Sequence, residues 1–180
     1  MHVTADSRTG TISAATDDAI VAFVAEHYDR LLRLARLICR DTTEAADAVQ
    51  VGLEVAWRHR STLRDPDRLR SWLDRIVARE AVRVSKRRRT WLDRLSAPRA
   101  GVTWAEPADH RVSEPSTYVA LQTAFATLSP EQRAVVALHL HAGYSIAETA
   151  AMVGAPEETV RSRLRLAKQR LRRELEEAVR

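Results

Sequence analysis

The chain has 180 residues, 29 Lys+Arg against 24 Asp+Glu, a formal charge of +5 and a sequence pI near 10.1, a size that admits one domain or two small ones. With 45% hydrophobic residues, 5 Gly and 6 Pro, the composition excludes a collagen-like or wholly disordered chain and argues against a turn-rich all-β fold. Cys39 stands alone, so an internal disulfide and a multi-thiolate metal site are excluded; no apolar run could span a bilayer, and the polar start lacks a signal peptide's apolar stretch, which leaves a soluble, cytoplasmic protein as the expectation.

Residues 1–16 are polar and aperiodic and read as a flexible tail. From Asp17 the apolar residues Ile20, Val24, Tyr28, Leu31, Ala35 and Ile38 recur at helical spacing, with Asp17 and Asp18 at the positive end of the dipole. Asp41 to Glu44 reads as a new N-terminal cap, followed by a stripe of Ala46, Val49, Leu53 and Trp57. Asp65-Pro66 opens a third helix with the stripe Leu69, Leu73, Ile76, Ala81 and Val84. Residues 96–116 contain Pro98, Gly101, Pro107 and Pro115 without helical period, and read as a linker.

The second half is helical again. Tyr118, Leu121, Phe125 and Leu128 share a face. Ser129-Pro130-Glu131-Gln132 and Ser145-Ile146-Ala147-Glu148 are capping boxes, in which a serine hydroxyl and a side chain three residues on satisfy each other's backbone N–H groups. Val135, Leu138 and Ala142 continue the helix that the first box opens, and Gly143 ends it. Gly154 stops the next, and Pro156 begins a last helix with the stripe Val160, Leu164, Ala167, Leu171 and Leu175. The fold expected is all-α: two small helical domains, 17–95 and 117–180, joined by a flexible linker, the second containing a helix-turn-helix.

The basic excess is almost entirely arginine, since Lys86 and Lys168 are the only lysines. A GC-rich genome favours arginine codons; arginine also binds phosphate and guanine through a rigid bidentate fork. The charge is clustered. Arg83, Lys86, Arg87, Arg88 and Arg89 fall within seven residues, and Arg161, Arg163, Arg165, Lys168, Arg170, Arg172 and Arg173 within thirteen, neither run containing an acid. One such run is ordinarily a solvated helix face. Two, each continuing an amphipathic helix, favour surfaces that meet a polyanion.

The order Ala150, Gly154, Val160 fits a helix-turn-helix. A small residue lets the helices cross closely, a glycine takes the left-handed turn, and Val160 anchors the second helix so that the opposite face points outward. That face carries Thr159, Arg161, Ser162, Arg165, Lys168 and Arg172. A hairpin packed for stability alone is the bland alternative, and it gives no reason for seven cations on one helix.

The tract from Ser145 through Ala151 and on through Thr159-Val160-Arg161-Ser162-Arg163-Leu164 resembles region 4 of bacterial sigma factors, most closely the small extracytoplasmic-function (ECF) group. Leu128-Ser129-Pro130-Glu131-Gln132-Arg133 is similar to the stretch opening that region. Asp47-Ala48-Val49-Gln50 with Trp57, and Ser71 to Arg79 with the following basic run, resemble region 2. The resemblance covers residues 18–95 and 115–178 and implies a specificity subunit that binds core RNA polymerase and promoter DNA and assists promoter opening. It implies a polymerase-binding set of Asp47, Gln50, Glu54, Trp57 and Arg58. The melted minus-ten strand would meet Trp72, Arg75, Arg79, Glu80, Arg83, Lys86, Arg87 and Arg88, which combine cations with an aromatic as single-strand binding requires. The minus-thirty-five duplex would be read by Arg161, Ser162 and Arg165, with Arg163, Lys168 and Arg172 on phosphates. An anti-sigma factor is a family expectation that no residue here identifies.

The pattern departs from the family at two places. Val51, Gly52 and Leu53 stand where an acid, a hydrophobic and Phe are usual, and a mid-helix glycine costs roughly 1 kcal/mol relative to alanine. Glu80 stands where a neutral polar residue is common; it can accept from a cytosine amine or repel the strand.

No cofactor, metal or catalytic centre is indicated. His139 and His141 are two apart on a helix and face different ways, and no phosphate loop or nucleophile–base pair has local support. Two other functions fit parts of the sequence: a helix-turn-helix regulator acting on duplex DNA without polymerase, and a sigma-like protein that titrates a partner.

Overall fold

The structure, a computed structural model, describes the backbone of residues 6–95 and 115–178 and the side chains of 17–90 and 121–177. Among these residues it is all-helical. Helix α1 runs Asp6–Cys39, α2 Thr42–Arg58, α3 Leu69–Leu95, α4 Pro115–Ala126, α5 Pro130–Val136, α6 Ile146–Val153 and α7 Glu157–Ala178. Most of the expected linker lies outside the described residues; its last two positions, Pro115 and Ser116, are already helical.

Helix α1 begins at Asp6, within the stretch expected to be a tail. Adding residues to a helix that is already packed is far easier than nucleating one, so weak local propensity does not stop it at Asp17. Its stripe is largely as expected: Ile20, Leu31, Ala35 and Ile38 are buried, while Tyr28 is exposed. The helix ends with Arg40 at φ +70, a left-handed position more usual for glycine.

Asp41 caps α2, its carboxylate accepting the Glu44 N–H at 3.0 Å. The buried face of α2 is Ala45, Ala48, Val49, Gly52 and Ala56, rotated from the stripe read in the sequence. Small residues face the bundle because α3 approaches closely there, and Trp57 is left 43% exposed. Gly52 therefore has a packing reason: a Cβ at this position would lie 3.1 Å from Val77 Cγ2. Gly52→Val is expected to cost about 1–3 kcal/mol through overpacking, read as a lower urea midpoint with unchanged slope; an unchanged midpoint would show that the helices separate freely.

A 3₁₀ turn, Pro66–Arg68, leads into α3, with Asp65 accepting the Asp67 N–H at 3.0 Å. Leu69, Trp72, Leu73, Val77, Ala78 and Ala81 of α3 are buried against α1 and α2. In the second region, α5 opens with the Ser129–Gln132 capping box and continues into a π-helical turn, Ala137–His141, that periodicity did not reveal. Gly143 follows at φ +82.

Two apolar clusters result. Leu128, Val135, Val136, Ala150, Val160, Leu164 and Ala167 form the second region's own core. Ala134, Ala137, Leu138 and Met152, from the same region, pack instead into the core built by α1–α3. The two regions thus share a continuous apolar contact.

Candidate nucleic-acid interface

The helix-turn-helix is built by local chemistry. Ser145 Oγ accepts the Glu148 N–H at 3.2 Å, and Glu148 Oε2 accepts the Ser145 N–H at 2.8 Å. Those bonds hold the Glu148 carboxyl below its ordinary pKa. At the other end Gly154 adopts φ +68, and its N–H bonds Ala150 O at 2.9 Å. Val160 and Ala167 are fully buried and Leu164 nearly so, which turns the opposite face of α7 outward.

That face presents Arg161, Arg165, Lys168 and Arg172 exposed, with Thr159, Ser162 and Arg163 half-buried. With His139, Ile146, Leu164 and Gln169, the four exposed cations line an open groove of about 560 Å³. Arg161 is bound within its own helix, 2.7 Å from Glu157 and 3.7 Å from Glu158. It must leave Glu157 to reach a base. Arg170 plays a different part from its neighbours, donating to Thr127 O at 3.3 Å and Gln132 Oε1 at 3.2 Å, and so ties α7 to the α4–α5 turn.

The basic run of α3 is largely engaged by acids. Arg83 pairs with Glu80 at 3.2 Å, Lys86 with Glu131, and Arg88 with Glu44 at 2.7 Å and Asp41 at 3.1 Å. The Arg88 contacts bind α3 to the start of α2. Burial raises the Glu44 carboxyl pKa against that pull, whereas the Glu44 N–H and Arg88 lower that of Asp41. Arg75 is half-buried and Arg87 exposed.

Trp72 and Glu80 are both buried. Trp72 is 7% exposed and Glu80 5%, so the indole packs in the core, and the carboxylate is held by Arg83. Arg79 donates to the helix-turn-helix itself, from Nε to Met152 O at 2.7 Å and from Nη2 to Ala151 O at 3.2 Å. The guanidinium there meets carbonyls at the C-terminal, negative end of α6.

The polymerase-binding candidates lie together on the outer face of α2. Asp47, Gln50, Glu54, Trp57 and Arg58 are all exposed. Gln50 Nε2 reaches Glu54 Oε1 at 3.5 Å, and Arg58 Nε donates to Glu54 O at 3.3 Å. The Arg60 guanidinium lies 4.7 Å from the Trp57 ring centroid and pairs with Asp17 at 2.7 Å. It stacks over one face of the indole, which stays partly exposed as a flat apolar anchor among polar groups.

Several residues central to the arrangement carry no short-range sequence signal. Asp74, fully buried, accepts two bonds from Arg30 at 2.7 and 2.8 Å and one from Tyr144 Oη at 2.7 Å. Burial and this carboxylate raise the Tyr144 phenol well above its ordinary pKa, so it stays a donor. Arg133, also buried, donates to Ile38 O and Leu128 O, both at 2.6 Å, and burial lowers it to about 10. Cys39 is buried beside Ala81 O at 3.5 Å, and burial pushes its thiol up to about 12, which makes it a poor nucleophile at neutral pH. No group of three or more His, Cys, Asp or Glu placed to hold a metal occurs among the described residues, and no described helix is long and apolar enough to cross a membrane.

Comparison with known proteins matches both halves. Residues 23–92 match the family model for Sigma-70 region 2, and residues 118–171 match that for Sigma-70, region 4. The ECF RNA polymerase sigma factor SigM of Mycobacterium tuberculosis is 37% identical over 147 residues, which cover 82% of this chain and 72% of SigM. SigL, an ECF RNA polymerase sigma factor of the same organism, is 32% identical over 167 residues, covering 92% of this chain and 94% of SigL. The sigma factor RpoE of Bartonella quintana, solved in complex with the anti-sigma factor NepR, shares the fold at TM-score 0.67 and 24% identity, over 85% of this chain and 94% of that one.

Proposed function

The chain belongs to the ECF sigma factors of the sigma-70 family, and from that membership we propose that its three exposed faces divide the work of initiation. As an ECF sigma factor it binds core RNA polymerase and directs it to promoters. The outer face of α2 meets the polymerase, α7 reads the minus-thirty-five duplex, and the basic end of α3 follows the melted minus-ten strand. Sigma factors are not enzymes; the polymerase carries out the chemistry. An anti-sigma partner belongs to the same reading, supported by the likeness to a sigma factor that was solved with one.

The observation that carries this division is one chain holding two unlike surfaces: an acid-and-aromatic face on α2 and a cationic reading face on α7. A regulator acting on duplex DNA alone has no use for the first. Binding to sigma-free core polymerase tests it. Trp57→Ala is expected to weaken binding about 30-fold, the effect of losing an aromatic anchor worth about 2 kcal/mol. Unchanged affinity for core, with the variant folded, would move the polymerase contact off α2.

A further inference from the structure

We propose that His139 is a titratable fifth cation of the duplex-reading groove, so that this chain takes up a proton at His139 Nε2 as it binds duplex DNA. The inference rests on the reading of α7 as the duplex surface, and it adds to that surface a residue outside the helix-turn-helix.

His139 comes from the π-helical turn Ala137–His141, ahead of α6. Its Nδ1 lies 2.6 Å from Tyr144 O. A carbonyl oxygen only accepts, so Nδ1 carries a hydrogen in both charge states of the ring. Nε2 is then the atom that gains or loses the titrating proton: an acceptor when the ring is neutral, a donor when it is charged. The Tyr144 bond also holds the ring in one orientation. The residue is half-buried and forms part of the groove wall with Arg161, Arg165, Lys168 and Arg172.

The other charged residues lining that groove are all cations. Charged groups on the elements packed around the turn are committed elsewhere. Glu148 of α6 accepts the Ser145 N–H, and Glu131 of α5 pairs with Lys86. Arg133 of α5 donates to Ile38 O and Leu128 O. Arg30 of α1 is tied to the turn only through Asp74, which also accepts the Tyr144 hydroxyl. Within the groove, a proton on Nε2 therefore meets a counter-charge when a phosphate oxygen arrives. Phosphate binding favours the imidazolium, and by linkage the imidazolium favours DNA.

The sign follows directly. The bound chain holds more protons than the free chain across the window in which imidazole changes charge, about pH 5 to 8. Duplex affinity thus rises as pH falls, by at most about one log unit per pH unit for a single site. Arginine and lysine keep their charge throughout this window, so Arg161, Arg165, Lys168 and Arg172 set a constant baseline and His139 supplies the pH dependence.

The test is fluorescence anisotropy of the full chain with a short mixed-sequence duplex, at several salt concentrations, from about pH 8.5 to about pH 5.5. Native affinity should rise about 10-fold, the strength of a modest hydrogen bond between charged partners, and the salt slope should steepen by about 1, as for one added phosphate contact. His139→Asn, whose amide can donate to Tyr144 O in place of Nδ1 but does not titrate, should keep the weaker, high-pH affinity throughout. His139→Arg, a permanent cation, should keep the tighter, low-pH affinity throughout. His141→Gln should follow the native profile.

A folded His139→Asn with the native pH profile and salt slope overturns the proposal, and so does a His139→Arg chain that remains as pH-dependent as native. Arg165→Ala and Lys168→Ala separate this failure from that of the underlying reading. If both weaken duplex binding at every pH while the His139 variants behave as native, α7 remains the duplex surface and His139 only braces the turn. If both bind as native, or if the native chain binds no duplex at any pH, the reading of α7 fails and the proposal falls with it.

Discussion

Asp74→Ala is expected to be among the most damaging single substitutions in the chain. The carboxylate is fully buried and joins α1, α3 and the segment before α6 through one group. Its removal leaves Arg30, whose side chain is 22% exposed, without its partner and the Tyr144 hydroxyl without an acceptor. Stripping one member from a buried ion pair costs about 3–5 kcal/mol; the partial exposure of Arg30 places this case near the lower end. About 3 kcal/mol corresponds to a fall in Tm of roughly 6–12 °C for a protein of this size. Asp74→Asn keeps an oxygen for Tyr144 and should fall between native and alanine. Thermal unfolding of the three proteins gives the order directly, and a Tm for Asp74→Ala within 1 °C of native would mean that the Arg30–Asp74–Tyr144 network contributes nothing net.

The second large effect is on the reading helix. Arg165 is exposed in the groove with no acid near it in sequence, whereas Arg161 is held 2.7 Å from Glu157. A bidentate arginine–guanine contact is worth about 1–3 kcal/mol of discrimination. Arg165→Ala should therefore lower affinity for the cognate minus-thirty-five duplex by roughly 5- to 150-fold and relax preference at one base position. Arg161→Ala should cost less, because breaking the Glu157 pair already offsets part of any base contact. Lys168→Ala should weaken all duplexes alike and reduce the salt slope by about 1, the mark of a phosphate contact. Binding titrations at several salt concentrations separate the two behaviours; equal loss on cognate and scrambled duplexes for Arg165→Ala would reassign it to the backbone.

The legible parts of the molecule are those set by neighbouring residues. Asp41, Asp65, Ser129 and Ser145 each cap a helix or turn start through bonds within three residues, and Gly154 takes its left-handed turn for local steric reasons. The stripe Val160, Leu164, Ala167 repeats at helical spacing, so it could be read directly and the outward face of α7 inferred. What sequence did not disclose is pairing at long range. Asp74 with Tyr144, Arg79 with Met152 O and Arg133 with Ile38 O join residues 70 or more apart. A cation in sequence looks the same whether it ends on a phosphate or on a carbonyl, which is why Arg79 and Arg170 could not be told from their neighbours.

The α2 face shows a further limit. Its apolar residues suggested Ala46, Leu53 and Trp57 as the inner stripe, yet close packing selected alanines and Gly52. Hydrophobicity favours large residues inside, but the distance between two helix axes decides which side chains fit. The same competition puts Trp57 outside, among Asp47, Gln50, Glu54 and Arg58, with Arg60 stacked on its ring.

As a sigma factor, this chain gives core polymerase its promoter choice. Run-off transcription, with sigma-free core RNA polymerase and sheared genomic DNA from the same source as the protein, tests it most directly. The expected result is a set of discrete start sites that share upstream elements at the minus-ten and minus-thirty-five positions, appear only when the chain is added, and weaken with Arg165→Ala. Co-elution with core polymerase without any such starts would contradict it and leave a protein that occupies polymerase without directing it.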